Sequence, residues 1–109
     1  RAAIADLVGR PGRHVVILGD MMELGGGEAD FHREVGELAR ERGVDALIGV
    51  GTRAAWYVKG FGDGAVHYPS VDDALGALGS HVQAGDTVLV KGSRSMALER
   101  VTAVLAGDA

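Results

Sequence analysis

The 109-residue chain contains no cysteine, which excludes a disulfide framework, a thiolate zinc site and a cysteine nucleophile, and leaves the redox compartment open. Basic residues are also scarce: 11 Lys and Arg stand against 15 Asp and Glu, a formal net charge of −4. That balance offers no large basic surface for phosphate attraction, so nucleic acid is not an expected partner. No apolar run approaches the ~20 residues needed to cross a bilayer, and Arg1 to Asp6 lacks the regions of a signal peptide, so no membrane insertion is expected. There is no starting Met either, and Ala2 to Val8 reads as the end of an amphipathic helix already under way, which implies a piece of a longer protein. What the chain has in excess is glycine, 18 residues, against an average usage of roughly 7%, with only 2 prolines. Neither a collagen period nor a disordered tract accounts for the glycines. With 47% apolar and 24% charged residues, residues 1–109 can bury a core and stay in solution as one domain.

Four short apolar runs are predicted strands: His14 to Leu18, Ala46 to Val50, Ala65 to Tyr68 and Thr87 to Val90. The first, second and fourth are nearly continuous in apolarity, as when both faces of a sheet are covered. The helix after the first carries Phe31, Val35 and Leu38 at i, i+4 and i+7 and is expected to stop at Gly43. The next is expected to start at Thr52 as N-cap and to end at Gly60. The third takes Ser70 as N-cap, Asp72 and Asp73 on its positive end, and a stripe of Val71, Ala74, Leu75, Leu78 and Val82. A last helix follows Ser93 to Ser95. The order, a helix and then four strand-helix units, predicts an α/β, Rossmann-like three-layer sandwich with a mainly parallel sheet, helices on both faces and right-handed crossovers.

Ligands of such sheets bind beyond the carboxyl ends of the strands, so the loops there carry the candidates. The first loop, Gly19 to Glu28, sets two carboxylates, Asp20 and Glu23, just past the strand and then three glycines, Gly25 to Gly27. Asp20 also suits a structural role, ending the strand while Met21, Met22 and Leu24 cover the sheet edge. His32 is placed to point back at this edge; taken alone it reads as a surface or capping histidine. The second loop, Gly49-Val-Gly-Thr-Arg-Ala54, matches G-x-G-x-x-A, with Asp72 and Asp73 about 20 residues on. The fingerprint normally opens the first strand-to-helix turn and here follows the second, so a free-standing dinucleotide-binding module is the alternative reading. The third loop, Lys91-Gly-Ser-Arg-Ser-Met96, gathers two cations, two hydroxyls and a helix start, an anion-binding set. Its Lys-Gly-Ser order inverts a P-loop, which favours a carboxylate or phosphate ligand over a triphosphate. Trp56 and Tyr57 read as packing residues, and His14, His67 and His81 show no metal-ligand spacing, so no metal site is expected.

These loops also carry a resemblance. Ile17-Leu-Gly-Asp-Met-Met-Glu-Leu-Gly25, then His32-Arg-Glu-Val-Gly36, then Val88-Leu-Val-Lys-Gly-Ser-Arg-Ser-Met96 with Glu99 and Val101, resembles the C-terminal domain of the Mur ligases. Among them it is most similar to those that join D-alanyl-D-alanine to UDP-N-acetylmuramoyl-tripeptide in peptidoglycan synthesis. The resemblance implies a cytoplasmic enzyme of three domains, with an N-terminal domain for the uridine nucleotide and a central ATPase domain carrying the P-loop. This domain would swing onto the ATPase domain. ATP and Mg²⁺ would convert the tripeptide carboxylate to an acyl phosphate, which the dipeptide amine attacks. Lys91, Ser93, Arg94 and Ser95 stand where the family binds the incoming amino-acid substrate, with Gly92 in support. Asp20, Met21 and Glu23 match the loop after the first strand, whose acids would hold the attacking ammonium or anchor the loop. His32 matches a motif position in a supporting role. The family's Asp-x-Tyr-Asn-Ala-Asn-Pro segment is expected ahead of Arg1. Without it and the P-loop the domain is expected to be inactive alone and to hold no cofactor.

Overall fold

The computed structural model of the chain describes residues 2–21, 27–92 and 98–105. Along it run α1 (Ala2–Val8), β1 (His14–Gly19), α2 (Glu28–Glu41), β2 (Ala46–Val50), α3 (Ala55–Phe61), β3 (Ala65–Tyr68), α4 (Val71–His81), β4 (Thr87–Lys91) and α5 (Glu99–Leu105). The strands form one sheet in the order β3-β2-β1-β4, and every pairing is parallel. The alternation anticipated from the sequence is the one observed, because near-continuous apolar strands are stable only when helices cover both faces.

Strand side chains alternate between two cores. Val16 and Leu18 of β1 with Leu47 of β2 meet Ile4 and Leu7 of α1, Ala39 of α2, and Tyr57 and Phe61 of α3. On the other face, Val15, Ile17, Ile48 and Val50 meet Val71, Ala74 and Leu78 of α4 and Leu98 and Val101 near α5. The chain thus winds from β1 through α2 to β2 and through α3 to β3 over one face. It then returns under the other face through α4 to β4, on the far side of β1. Ser70 caps α4 as its sequence position suggests, its Oγ accepting from the Asp73 N–H at 3.2 Å.

Three local expectations change. The line of α2 that is fully covered is His32, Gly36 and Ala39, while Phe31, Val35 and Leu38 lie beside it, half-buried. Thr52 is exposed and caps nothing, since α3 begins three residues later with Ala54 at its N-cap. Gly60 does not end α3 but lies inside it; the helix stops at Gly62, whose φ of 84° suits only glycine and whose N–H closes on Val58 O.

The shifts in α2 and α3 share a cause. A methyl group on Gly36 would stand 2.1 Å from Tyr57 O, and one on Gly60 would stand 2.0 Å from Arg33 O. The two helices therefore touch backbone to backbone, and the contact selects the Gly36 line rather than the bulkier Phe31 line. Gly76 and Gly79 of α4 have nothing within 4 Å of the same position. Urea unfolding should therefore separate these glycines. Gly36→Ala and Gly60→Ala are each expected to lower the unfolding free energy by about 1–3 kcal/mol through overpacking. Gly76→Ala should leave it unchanged or raise it by up to ~1 kcal/mol through helix propensity.

Candidate functional site

The winding places a crevice at the carboxyl ends of β1 and β4. These strands are neighbours, with Leu18 opposite Lys91, yet the helix that follows β1 packs on one face of the sheet and the helix that follows β4 on the other. Neighbouring strands whose following helices lie on opposite faces mark the switch point of the sheet, where such folds take ligands. Two glycines meet at these strand ends. A methyl on Gly92 would come within 3.1 Å of Gly19 Cα and 2.5 Å of Leu98 Cδ1, so the end of β4 cannot carry a larger residue without pushing against β1 and Leu98.

The last residue of β1 and the two that follow it are each held from α2, from α3 or from the loop before α3. Gly19 O accepts from the Tyr57 hydroxyl at 2.9 Å. Asp20, only 3% exposed, accepts through Oδ1 from the Ala54 N–H at 2.8 Å, and its Oδ2 lies 3.7 Å from the Arg53 guanidinium. The Met21 N–H donates to His32 Nε2 at 3.1 Å. An amide N–H can only donate, so Nε2 is the bare nitrogen and the ring proton sits on Nδ1, which donates to Glu28 O at 2.5 Å. Arg53 also pairs with the Glu28 carboxylate, tying the start of α2 to the loop before α3.

Beside these anchors lies an apolar cleft of about 150 Å³, walled by Leu18, Met21, Phe31 and Val35 and carrying Lys91 among its lining residues. Lys91 is the last residue of β4 and is exposed. Of the residues singled out in the sequence, the structure thus brings together Asp20, Met21, His32, Lys91 and Gly92. Glu23, Ser93, Arg94 and Ser95, with Gly25 and Gly26, lie outside the described residues. A wider groove of about 430 Å³ runs along the Val82 to Asp86 turn beside β4 and α5. The Asp86 carboxylate there is already taken by Arg13 and by the Gln83 N–H.

Sequence reasoning missed Tyr57 and the donor pair Arg53 and Ala54. A signal for Tyr57 existed: it shares the buried face of α3 with Ala54 and Phe61, and a hydroxyl on such a face needs a partner. The dinucleotide reading fails on geometry. Gly51 has φ +115° and faces Asp20, whose Oδ1 would lie 2.6 Å from an added methyl, while one on Gly49 would lie 2.8 Å from Ala54 O. Gly51 makes room for the protein's own carboxylate, which occupies the start of α3 where a pyrophosphate would have to sit, and Gly49 makes room for the Ala54 backbone. Among the described residues there is no cluster of three His, Asp or Glu side chains, and the Asp20 carboxylate is engaged by Ala54 and Arg53.

A doubly wound parallel sheet with a cationic, apolar-walled crevice at its switch point defines a Rossmann-like ligand-binding domain. The particular family follows from comparison: the profile of the Mur ligase glutamate ligase domain matches residues 1–94, and the chain belongs to the Mur ligase family. It is 37% identical over 106 residues to the UDP-N-acetylmuramoyl-tripeptide–D-alanyl-D-alanine ligase of Escherichia coli, covering 95% of this chain and 23% of that protein. It is 34% identical over 95 residues to the ligase of the same name from Bacillus subtilis, covering 83% and 21%. Among solved structures it superposes on the MurF ligase of Thermotoga maritima in complex with ADP with a TM-score of 0.79 and 27% identity, covering 97% of this chain and 24% of that one. MurF from Acinetobacter baumannii gives 0.81 and 26%, covering 95% and 24%. The chain therefore spans about a quarter of the length of these relatives, as a MurF-like C-terminal domain.

The Tyr57 anchor has a titration signature. Burial first, and the charge of Asp20 second, push its hydroxyl well above the usual tyrosine range. The neutral form is therefore favoured by folding. The stability this contributes is full below the unfolded value of about 10 and is lost as pH rises from there through the raised folded value. In an alkaline titration followed by phenolate absorbance, one of the 2 tyrosines should ionise only as the chain unfolds, and Tyr57→Phe should abolish that delayed step. Full phenolate absorbance in the still-folded chain would contradict the assignment.

Proposed function

We propose that this domain seats the acceptor of an ATP-dependent amide ligase that adds D-alanyl-D-alanine to UDP-N-acetylmuramoyl-tripeptide in cytoplasmic peptidoglycan synthesis. The observation that carries the reading is the pairing, at the switch point, of the exposed Lys91 ammonium with the apolar cleft that Met21 helps to wall. A dipeptide acceptor presents a carboxylate, two methyl groups and an amine. Lys91 suits the carboxylate by a charge-assisted bond, with Ser93, Arg94 and Ser95 assigned to the same anion and Gly92 keeping the strand end narrow. The methyl groups suit the cleft. Of the two acids after β1, Asp20 is engaged by Ala54 and Arg53 and anchors the loop, which leaves Glu23 for the acceptor ammonium.

On the family reading, ATP and Mg²⁺ are assigned to a central ATPase domain of the longer ligase, and the uridine nucleotide to an N-terminal one. The domain's contribution is then orientation and exclusion of water. Docking on the ATPase domain brings the amine to an acyl phosphate that water would otherwise hydrolyse. On this reading the domain alone catalyses nothing.

Steady-state kinetics of the full-length ligase test the assignment. Lys91→Ala is expected to raise the KM for D-alanyl-D-alanine by about 10-fold or more, the loss of one hydrogen bond to a charged group. The KM values for ATP and for the uridine substrate should hold, and Arg94→Ala should behave alike. Acceptor kinetics unchanged in both variants would overturn the proposal.

A further inference from the structure

We infer that His32 is a positioning residue for acceptor binding: it fixes Met21, and through Met21 the wall of the cleft beside Lys91. The inference rests on the acceptor reading above and assigns a task to a side chain that touches neither substrate nor cofactor.

His32 is one of two polar residues in the core of the described structure, at 0% exposure. The neighbouring covered positions of α2 are Gly36 and Ala39, so apolar packing alone calls for no ring with two polar atoms. Both atoms are used, and in fixed directions. Nδ1 donates to Glu28 O one turn back along α2, at 2.5 Å, leaving Nε2 bare to accept the Met21 N–H at 3.1 Å. The ring cannot turn away. Tyr57 lies against it with centroids 4.6 Å apart, and Phe31 meets it edge-on at 5.7 Å. Phe31 and Tyr57 line the cleft together with Met21 and Lys91.

The bond falls at a place where it matters. Gly19 and Asp20 are held by Tyr57 and Ala54, so the sheet edge is fixed up to Asp20 without His32. Met21 is the first residue past those anchors, and its N–H is tied to His32. Remove the acceptor nitrogen and a part-buried N–H is left unpaired, a cost that rotation of the Met21 peptide relieves. Such a rotation moves a wall of the cleft but leaves β4 and Lys91 where they are. The expected signature is a weaker grip on the acceptor with the chemical step intact, a rise in KM without a matching fall in kcat.

Three substitutions in the full-length ligase separate positioning from simple support. His32→Phe keeps the ring volume and loses both polar atoms. His32→Gln places its amide oxygen where Nε2 stands and still accepts from Met21. His32→Asn places its amide nitrogen near Nδ1 and does not reach Met21. His32→Phe and His32→Asn are expected to raise the KM for D-alanyl-D-alanine by about 10-fold at nearly unchanged kcat, with the KM for ATP unmoved. His32→Gln should come back to within about threefold of the wild type. Gln and Asn variants that are equally impaired, or a Phe variant with the wild-type acceptor KM, would overturn the inference. The Gln and Asn pair decides the question even where the Phe variant fails to fold. A wild-type ligase that does not use D-alanyl-D-alanine would instead overturn the acceptor reading. Nitrogen NMR of the ring then judges His32 separately: a bare Nε2 coupled to the Met21 amide is expected, and a protonated Nε2 refutes the bond.

Discussion

The carboxylate of Asp20 has left water almost entirely, and a buried carboxylate is tolerated only where donors meet it. Here the donors come from the loop that leads out of the neighbouring strand: the Ala54 N–H at 2.8 Å and, at longer range, Arg53. That one requirement organises the carboxyl edge of the sheet. It draws the β2–α3 loop over the end of β1, it makes residue 51 a glycine, and it brings α3 to where Tyr57 reaches Gly19 O. Because the start of α3 is neutralised from within, the remaining positive feature of the edge among the residues placed beside the cleft is Lys91, across the crevice on β4. The cationic residue beside the cleft thus lies on the β1–β4 side rather than the β1–β2 side.

The second constraint is the approach of α2 to α3. With glycines at 36 and 60, no side chain stands between the two backbones, and the aromatic and polar rings of Tyr57 and His32 fill the space toward the sheet edge, 4.6 Å apart. The buried tyrosine and histidine are therefore a consequence of helix packing as much as of the loop they hold. On the α4–α5 side the buried residues are Val, Ile, Ala and Leu, and the comparable polar pair, Tyr68 with His81, is only part-buried.

Much of this was legible in the sequence. Apolar runs bounded by loops gave all four strands, since strands covered on both faces have little freedom in composition, and Ser70 with Asp73 gave the start of α4. The loops at the carboxyl edge, the Mur ligase family and four side chains that gather at that edge, Asp20, Met21, His32 and Lys91, could be named from motif and spacing. What could not be read was any effect decided by contact between distant segments. Thr52 has the chemistry of an N-cap, but Asp20, 34 positions from Ala54, supplies the acceptor instead. Phe31, Val35 and Leu38 form a proper helical stripe, but backbone contact at Gly36 rotates the helix by one position. Gly49 and Gly51 match a nucleotide fingerprint whose meaning depends on what faces them, and what faces Gly51 is an acid of the same chain.

The missing layer of side chains between α2 and α3 has a mechanical consequence. Packed interiors have low compressibility and transmit strain, and two helices in backbone contact lack even the small play that interleaved side chains allow. The pair spans the sheet from the bonds of Arg40 to Phe61 O and Asp63 O at one end to the bonds that hold Met21 and Gly19 at the other, with no side chain between the helices at Gly36 and Gly60 to yield. The pair behaves as a stiff lever lying across the sheet. If the domain is moved as a body, its crevice is carried along in one piece, and the joint that lets it move has to lie outside these two helices.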